Sequence, residues 1–486
     1  MPDAKDDDPF AAQPAGVIIS APNGDVMRYD DTGLVMKLSD RVIKDIAQRL
    51  PQQGRTPATR AGAPEAALPA DIDAWDLRDE GDWITFHARM PGGHDQRRYR
   101  WHRGGGAVIA DARGPLRALL GIGGPRAALA TPGASTWPHH VLAPGDHIGA
   151  VGMAGDGRAE PTDRLLPVPE RSHEVLLAET LLDADRAAWR APSLWYVRAE
   201  TDAPARAADL ATGAAAQNLD VAVASFIAAA RRLGKEPLIE AVTLDYALED
   251  ILDDATAYRD GMIAVLDMVT QVLARHGLAR PVFLAHLDCG TPAITQGAAL
   301  AGQWELSWNH GDHRLVIPAP GYTLEMDRTG RLTDAGRAQK AAMGAAALLA
   351  LRAGEPFDCP SLSLAERQGK DLRAVFSAES ALVIDARDPF GAGPLAGFSL
   401  TGVENGARID AVTIDPADTK SVILHMTDRP EGRAIALAYA AGADPRETDG
   451  FSPNAGAVRD GWEQLSVLGP LHRWALPALL PLTGGG

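Results

Sequence analysis

Cysteine is nearly absent: Cys289 and Cys359 are the two in 486 residues, too few for a disulfide scaffold or a cysteine-built zinc site. Lysine is also scarce. Seven of the 47 basic residues are lysine, which leaves 40 arginines, a bias that fits a GC-rich coding genome rather than a particular chemistry. Positive charge as a whole is in deficit, 47 basic against 64 acidic residues for a net −17. A chain of that sign is repelled by nucleic-acid phosphates and by anionic membrane surfaces, so neither is expected as a general partner. No apolar run approaches the roughly 20 residues that span a bilayer. The start, Met1 to Pro9, is acidic and lacks the basic and apolar regions of a secretory signal. These absences predict synthesis in the cytoplasm without a signal peptide.

What is present is ordinary globular composition, 46% hydrophobic and 23% charged, which argues against wholesale disorder and against a fibre. At roughly 100–200 residues per domain the length suggests about three domains. Residues 1–15 read as a lead-in. Short apolar groups from Val17 to Leu38 alternate with turn signals, Pro22-Asn23-Gly24 and Asp31-Thr32-Gly33, and Ser39 can cap a short helix bearing Val42, Ile43, Ile46 and Leu50. Residues 51–68, rich in Pro, Ala and Gly, read as a linker. The N-terminal segment and linker are placed at 1–60, too thin for a core of their own and suited to docking on a partner.

Residues 61–145 read as a small β-rich unit. Trp83 to His87 and Arg98 to Trp101 form a hairpin through Pro91-Gly92-Gly93. Trp75, Trp83, Phe86, Tyr99 and Trp101 could be a small β core or a sugar-stacking face, the core being the simpler use. Between 146 and 353, five apolar runs (147–154, 193–199, 237–244, 281–287 and 314–317) alternate with helical periodicity at 174–188, 221–233, 257–276 and 335–351. That alternation predicts a three-layer α/β/α domain on a parallel sheet, with ligands at the carboxyl ends of the strands. From 354 to 486 short alternating runs return, among them 374–376, 381–384, 407–414, 421–426 and 434–439, and predict a β-sandwich. The expected fold is thus multidomain, α/β plus β.

Three stretches carry a resemblance. Val151-Gly152-Met153-Ala154 leads into Gly155-Asp156-Gly157-Arg158. Leu244-Asp245-Tyr246-Ala247-Leu248-Glu249-Asp250 precedes a helix with Tyr258. Asp327-Arg328-Thr329-Gly330-Arg331-Leu332-Thr333-Asp334-Ala335-Gly336 turns into another helix. In this order they resemble the SGNH hydrolases, in the branch of sialate O-acetylesterases and carbohydrate esterases. The tail segments Gly397-Phe398, 409–412, Leu437-Ala438-Tyr439-Ala440 and Asn454 to Asp460 resemble the sandwich that follows that hydrolase domain.

The family's first strand ends in Gly-Gln-Ser-Asn with a serine nucleophile, and its last motif, Asp-x-x-His-Leu-Thr-x-x-Gly, carries the general base. By that correspondence the nucleophile position is Gly157, beside Arg158, and the base position is Arg331, with the acid displaced to Asp327. Glycine has no side chain to attack an ester, and a guanidinium cannot accept a proton. The resemblance therefore implies a pseudo-esterase with a sugar-shaped cleft and no acyl transfer.

Other candidates are weighed on residue chemistry. Ser172-His173 could be a relocated nucleophile and base, but neighbours on a loop rarely face one another. His139, His140 and His147 lack a matching carboxylate spacing for a metal. Asp250, Asp253 and Asp254 could hold calcium, though capping the helix at Ala255 explains them more simply. Gly121-Ile122-Gly123-Gly124 lacks the context of a nucleotide loop. No cofactor and no metal are expected. Trp195, Trp304, Trp308 and His310 are the candidate binding residues, with Trp304 and Trp308 sharing a helix face either for core packing or for sugar stacking.

The preferred functional reading is a non-catalytic carbohydrate-binding head spike or fibre of a phage-like particle or gene transfer agent. Such a protein would contact host capsule or surface polysaccharide, would bind particle proteins through its N-terminal segment, could be a homo-oligomer, and would leave the cell on lysis. An active carbohydrate O-acetylesterase and a cytoplasmic pseudoenzyme scaffold are the alternatives. The charge favours a neutral or acetylated glycan over an anionic capsule, unless a cluster such as Arg97, Arg98 and Arg100 reverses the local field.

Overall fold

Seven strands make the central sheet of the computed structural model: β1 (Leu116–Gly123), β2 (Val141–Pro144), β3 (Leu165–Pro167), β4 (Leu194–Thr201), β5 (Pro237–Asp245), β6 (Val282–Leu284) and β7 (Arg314–Val316). Their order is β3-β2-β4-β1-β5-β6-β7. All neighbours are parallel except the edge pair β3 and β2. The structure describes residues 17–20, 26–30, 33–37, 72–90, 97–146, 148–152, 158–247, 253–287, 297–327, 331–441 and 454–483, with the backbone alone for 17–37 and 297–299. Two compact units divide the chain, Met1–Ala67 and Leu68–Gly486.

Six helices accompany the sheet: α1 (His173–Ala187), α2 (Ala207–Leu210), α3 (Ala214–Arg232), α4 (Ala255–Arg275), α5 (Gly297–Trp308) and α6 (Asp334–Arg352). Strand β4 shows why the sheet is covered on both sides, because all eight of its residues are buried. Trp195 and Val197 join the core formed with Leu177 and Leu181 of α1 and Met343 and Leu348 of α6. Tyr196 points the other way, where its ring lies 5.2 Å from Phe226 of α3. Alternation along a strand thus feeds two helical layers. The stretch Ala207–Arg232 has the length and hydropathy of a membrane span, but Leu219, Val223, Phe226 and Ala230 within it are buried against the protein.

Two expectations about this sheet are corrected. The central strand, β1, and its companion β2 fall in the region assigned to the small β-rich unit, so the 145/146 boundary cuts through the sheet. Leu116 to Ile122 is as apolar as any of the five runs recognised, and its Gly-Gly ending reads as a turn. Within the run 147–154, the described residues 148–152 form no strand. Gly145 precedes it, and Gly149 takes a left-handed φ of +92° that interrupts extended backbone. A single bridge from Val151 to Ala199 remains of the expected pairing.

Before β1, strands Ala74–Glu80, Trp83–Ala88, Arg97–His102 and Ile109–Ala110 form a four-stranded antiparallel sheet. The second and third form the expected hairpin. Phe86 and Tyr99 are its core, and Trp83 is buried beneath Arg100, whose guanidinium carbon sits 4.3 Å from the ring centroid. Core packing is what three of those aromatics do.

The C-terminal region has one four-stranded and two three-stranded sheets. Leu362, Phe376, Leu424, Phe398, Leu437, Tyr439, Val458 and Trp474 bring all three around one apolar core, in the manner of a sandwich. Its hairpin Val458–Ser466 and Gly469–Trp474 also sends Leu471 and Trp462 into the core of the α/β layers. The N-terminal unit contains an antiparallel sheet of Val17–Ser20, Val26–Asp30 and Gly33–Lys37. The helix expected after Ser39 and the linker at 51–68 lie outside the described residues.

Candidate functional site

Parallel sheets present backbone and loop groups at the carboxyl ends of their strands, and here those ends belong to β1, β5 and β6. Strand β1 finishes at Gly123, next to Gly124, whose N–H donates to the Asp245 carbonyl at 2.9 Å. The glycine-rich stretch thus does follow a strand. A Cβ on Gly121 would lie 2.6 Å from Glu174 Oε1 and 2.8 Å from Thr243 Oγ1. One on Gly123 would overlap the Asp245 carbonyl oxygen and sit 2.7 Å from Ala127 Cβ. Glycine is required at both positions by this close approach.

Polar side chains fill the space above. Lys340 of α6 donates to Asp245 Oδ2 at 2.7 Å. Burial, the largest single influence, would raise the Asp245 carboxyl, but Lys340, His286 and Arg126 together outweigh it and hold the group well below the usual carboxylate range. Glu174 accepts from Thr243 Oγ1 at 2.5 Å and from Ser172 Oγ at 2.7 Å. His173 is held neutral by burial, with Lys340 adding to the effect. The volume left among Arg126, His173, Thr243, Asp245, His286 and Lys340 is about 20 Å³, room for about one water.

Ser172 is the N-cap of α1, its hydroxyl facing Val175 N and Glu174. Its oxygen accepts from Val175 N at 3.5 Å, as a helix cap does.

The structure separates the other expected site residues. Gly157 lies outside the described residues, and Arg158 is exposed. Arg331 is also exposed, on a turn where its N–H donates to Asp327 Oδ1 at 3.1 Å and its carbonyl accepts from Asp327 N at 2.8 Å. Leu332, not Arg331, reaches the strand-end space. The expected turn into a helix is present, with Thr333 Oγ1 accepting from Gly336 N at 3.2 Å. Trp195 is withdrawn as a binding residue: it is fully buried on β4, and Arg352 lies over its ring at 5.8 Å.

His139 and His140 do not form a ligand pair. His139 Nδ1 donates to Val108 O at 2.9 Å, while burial holds His140 down to about 3. His147 and Asp250 lie outside the described residues. Asp254 caps α4 through Ala257 N at 2.8 Å, as its position in the sequence suggests, and Asp253 pairs with Arg206. Among the described residues no cluster of three His, Cys, Asp or Glu side chains is placed to hold a metal ion.

Trp304 and Trp308 do come together, their rings 5.5 Å apart and T-shaped. They line a cavity of about 390 Å³ at the β7 edge, where α5 meets the sandwich strand Ser361–Gln368. Leu315, Ile317, Leu362 and Leu476 form its apolar wall, and Ser307, Ser361, Ser363, Ser377 and Asp358 supply oxygen. Cys359 also lines it. Its thiol donates to Pro318 O at 3.2 Å, and burial raises it well above the usual thiol range, which leaves it unreactive. His310 is half-buried and is not part of the lining. The sequence signal for this site was the i, i+4 tryptophan pair. The serines were not singled out, because they come from strands far away in the chain.

No family model matches the chain, and no curated protein matches it. The solved structures similar to it include two carbohydrate acetylesterases. One is a carbohydrate acetylesterase from Xanthomonas citri, 16% identical, with a TM-score of 0.46, covering 79% of this chain and 86% of that one. The other is a carbohydrate acetylesterase from Sinorhizobium meliloti, 12% identical, with a TM-score of 0.29, covering 49% of this chain and 99% of that one. At that distance neither likeness bears on chemistry.

Proposed function

We propose that the chain is a non-hydrolytic carbohydrate-binding protein on an esterase-like α/β scaffold. The observation that carries this reading is the strand-end site. The sheet's first strand in chain order is β1, so Gly123, at its end in Gly121-Ile122-Gly123-Gly124, stands beside Gly157 as a candidate for the serine position of the SGNH pattern. Acyl transfer needs a nucleophile with an adjacent base and room for the ester. Here the backbone leaves no space for a Cβ at Gly123, Ser172 is engaged as a cap, and the remaining volume is about 20 Å³. Hydrolysis of p-nitrophenyl acetate and of O-acetylated glycans is expected to stay at the buffer rate. Turnover abolished by Ser172→Ala would instead establish an active esterase.

In its finer form the reading is a head spike or fibre of a phage-like particle, with the N-terminal unit engaging particle proteins. The division of the chain at Ala67 supports that role for residues 1–67. Co-sedimentation with particles is expected for the full chain and lost on deleting residues 1–67. A chain that never travels with particles would leave a free glycan-binding protein.

A further inference from the structure

We propose that the cavity at the β7 edge binds one ring of a neutral glycan, with the sugar's C–H face against Trp308 and Trp304. This deepens the carbohydrate-binding reading and rests on it. Four observations choose the ligand.

The volume, about 390 Å³, lies at the lower end of small-molecule sites, which suits a single ring with a substituent rather than an extended chain. One wall is apolar and carries two electron-rich aromatic faces, the surface that C–H groups pack on. Trp308 leaves 57% of its surface exposed while its ring meets Trp304 at 5.5 Å, so part of the indole is open to a ligand.

The polar complement selects against lipid. The Trp304 indole N–H is buried, so hydrogen bonding in the cavity falls to the serines of its lining. Ser307 donates its hydroxyl hydrogen to Trp304 O at 2.6 Å and Ser363 to Val375 O at 3.0 Å. Each hydroxyl oxygen keeps lone pairs to accept from a ligand. A ligand must therefore donate to serines across an apolar face, which an acyl chain cannot do. The charge selects against acids. Asp358, which is exposed, is the one charged residue of the described lining, so phosphates, uronates and sialic acids meet a solvent-screened like charge and find no cationic partner in that lining.

Isothermal titration calorimetry of the full chain tests this. The probes are methyl glycosides of neutral hexoses and of N-acetylhexosamines, with glucuronate and octanoate as counter-probes. At least one neutral glycoside is expected to bind and neither counter-probe. Trp308→Ala, at an exposed position, is expected to weaken binding at least about tenfold. Trp304→Phe, which keeps an aromatic ring but shortens its face, is expected to weaken it by about three- to tenfold. Trp189→Ala, at an exposed tryptophan elsewhere, should leave affinity unchanged. Circular dichroism verifies folding of each variant. Glycoside binding that survives both cavity variants overturns the site and leaves the carbohydrate reading standing. Binding of octanoate or glucuronate alone overturns the ligand class, and a chain that binds no glycoside here and no glycan on an array sinks both.

Discussion

A methyl group at Gly123 would meet the Asp245 carbonyl and Ala127 at once, and neither can swing aside as a flexible side chain would. Gly123→Ala is therefore expected to destabilise the protein by about 1–3 kcal/mol, read as a lower urea midpoint, and Gly123→Ser should do the same without creating esterase activity. Glu200, beside the same sheet, makes a pH-dependent prediction. Burial pushes its carboxyl up to about 7, outweighing the pull of Arg198, which donates to it at 2.7 Å. Asp146, paired with the same guanidinium at 3.1 Å, adds to the rise. Between about pH 4.3, the ordinary glutamate value, and pH 7, the folded chain keeps a proton that the unfolded chain has released. Stability contributed by Glu200 is therefore complete below that window and falls as pH rises through it. Urea midpoints from pH 5 to 8 should decline less steeply in Glu200→Gln than in the native chain. An identical slope would remove Glu200 from the account.

At the scale of elements, the helix starts were legible because their caps are local. Asp254 and Thr333 each accept from a backbone N–H three residues on, and both starts fall within two residues of the sequence reading. Asp254→Ala is expected to cost about 1 kcal/mol, seen as a lower melting temperature with glycan affinity unchanged. Strands were legible where β-rich runs stand between helices, as at β4 and β5. They were missed where a strand follows a hairpin unit, as at β1, because sheet membership is a non-local property of parallel pairing. The tryptophan pair could be read from its spacing, but the serines opposite come from residues 361–377 and meet it only in the folded chain. Trp195 was misread because an aromatic on a strand flanked by helices is buried on either face.

For the whole molecule, the two halves of the Leu68–Gly486 unit share a core. Leu471 and Trp462 of the sandwich hairpin complete the α/β packing around Phe357. Arg473, paired with Asp460 at 2.5 Å, lies 5.7 Å from the rings of both Phe357 and Trp462. A fragment ending at residue 354 would expose that apolar surface. It is expected to aggregate or bind a hydrophobic dye, whereas residues 68–486 should melt in one transition at the temperature of the full chain. Two separate calorimetric transitions in the longer fragment would contradict a shared core.

Ile317, Cys359 and Leu476 of the β7 cavity share one apolar cluster with Trp304 packed against it, and Leu362 opposite sits in the sandwich core, so its walls are held by packing before anything enters. Such a site works as a mould rather than a jaw. It admits or refuses by outline, forfeits little ordering entropy on occupancy, and leaves release governed by the occupant's own contacts rather than by an opening motion.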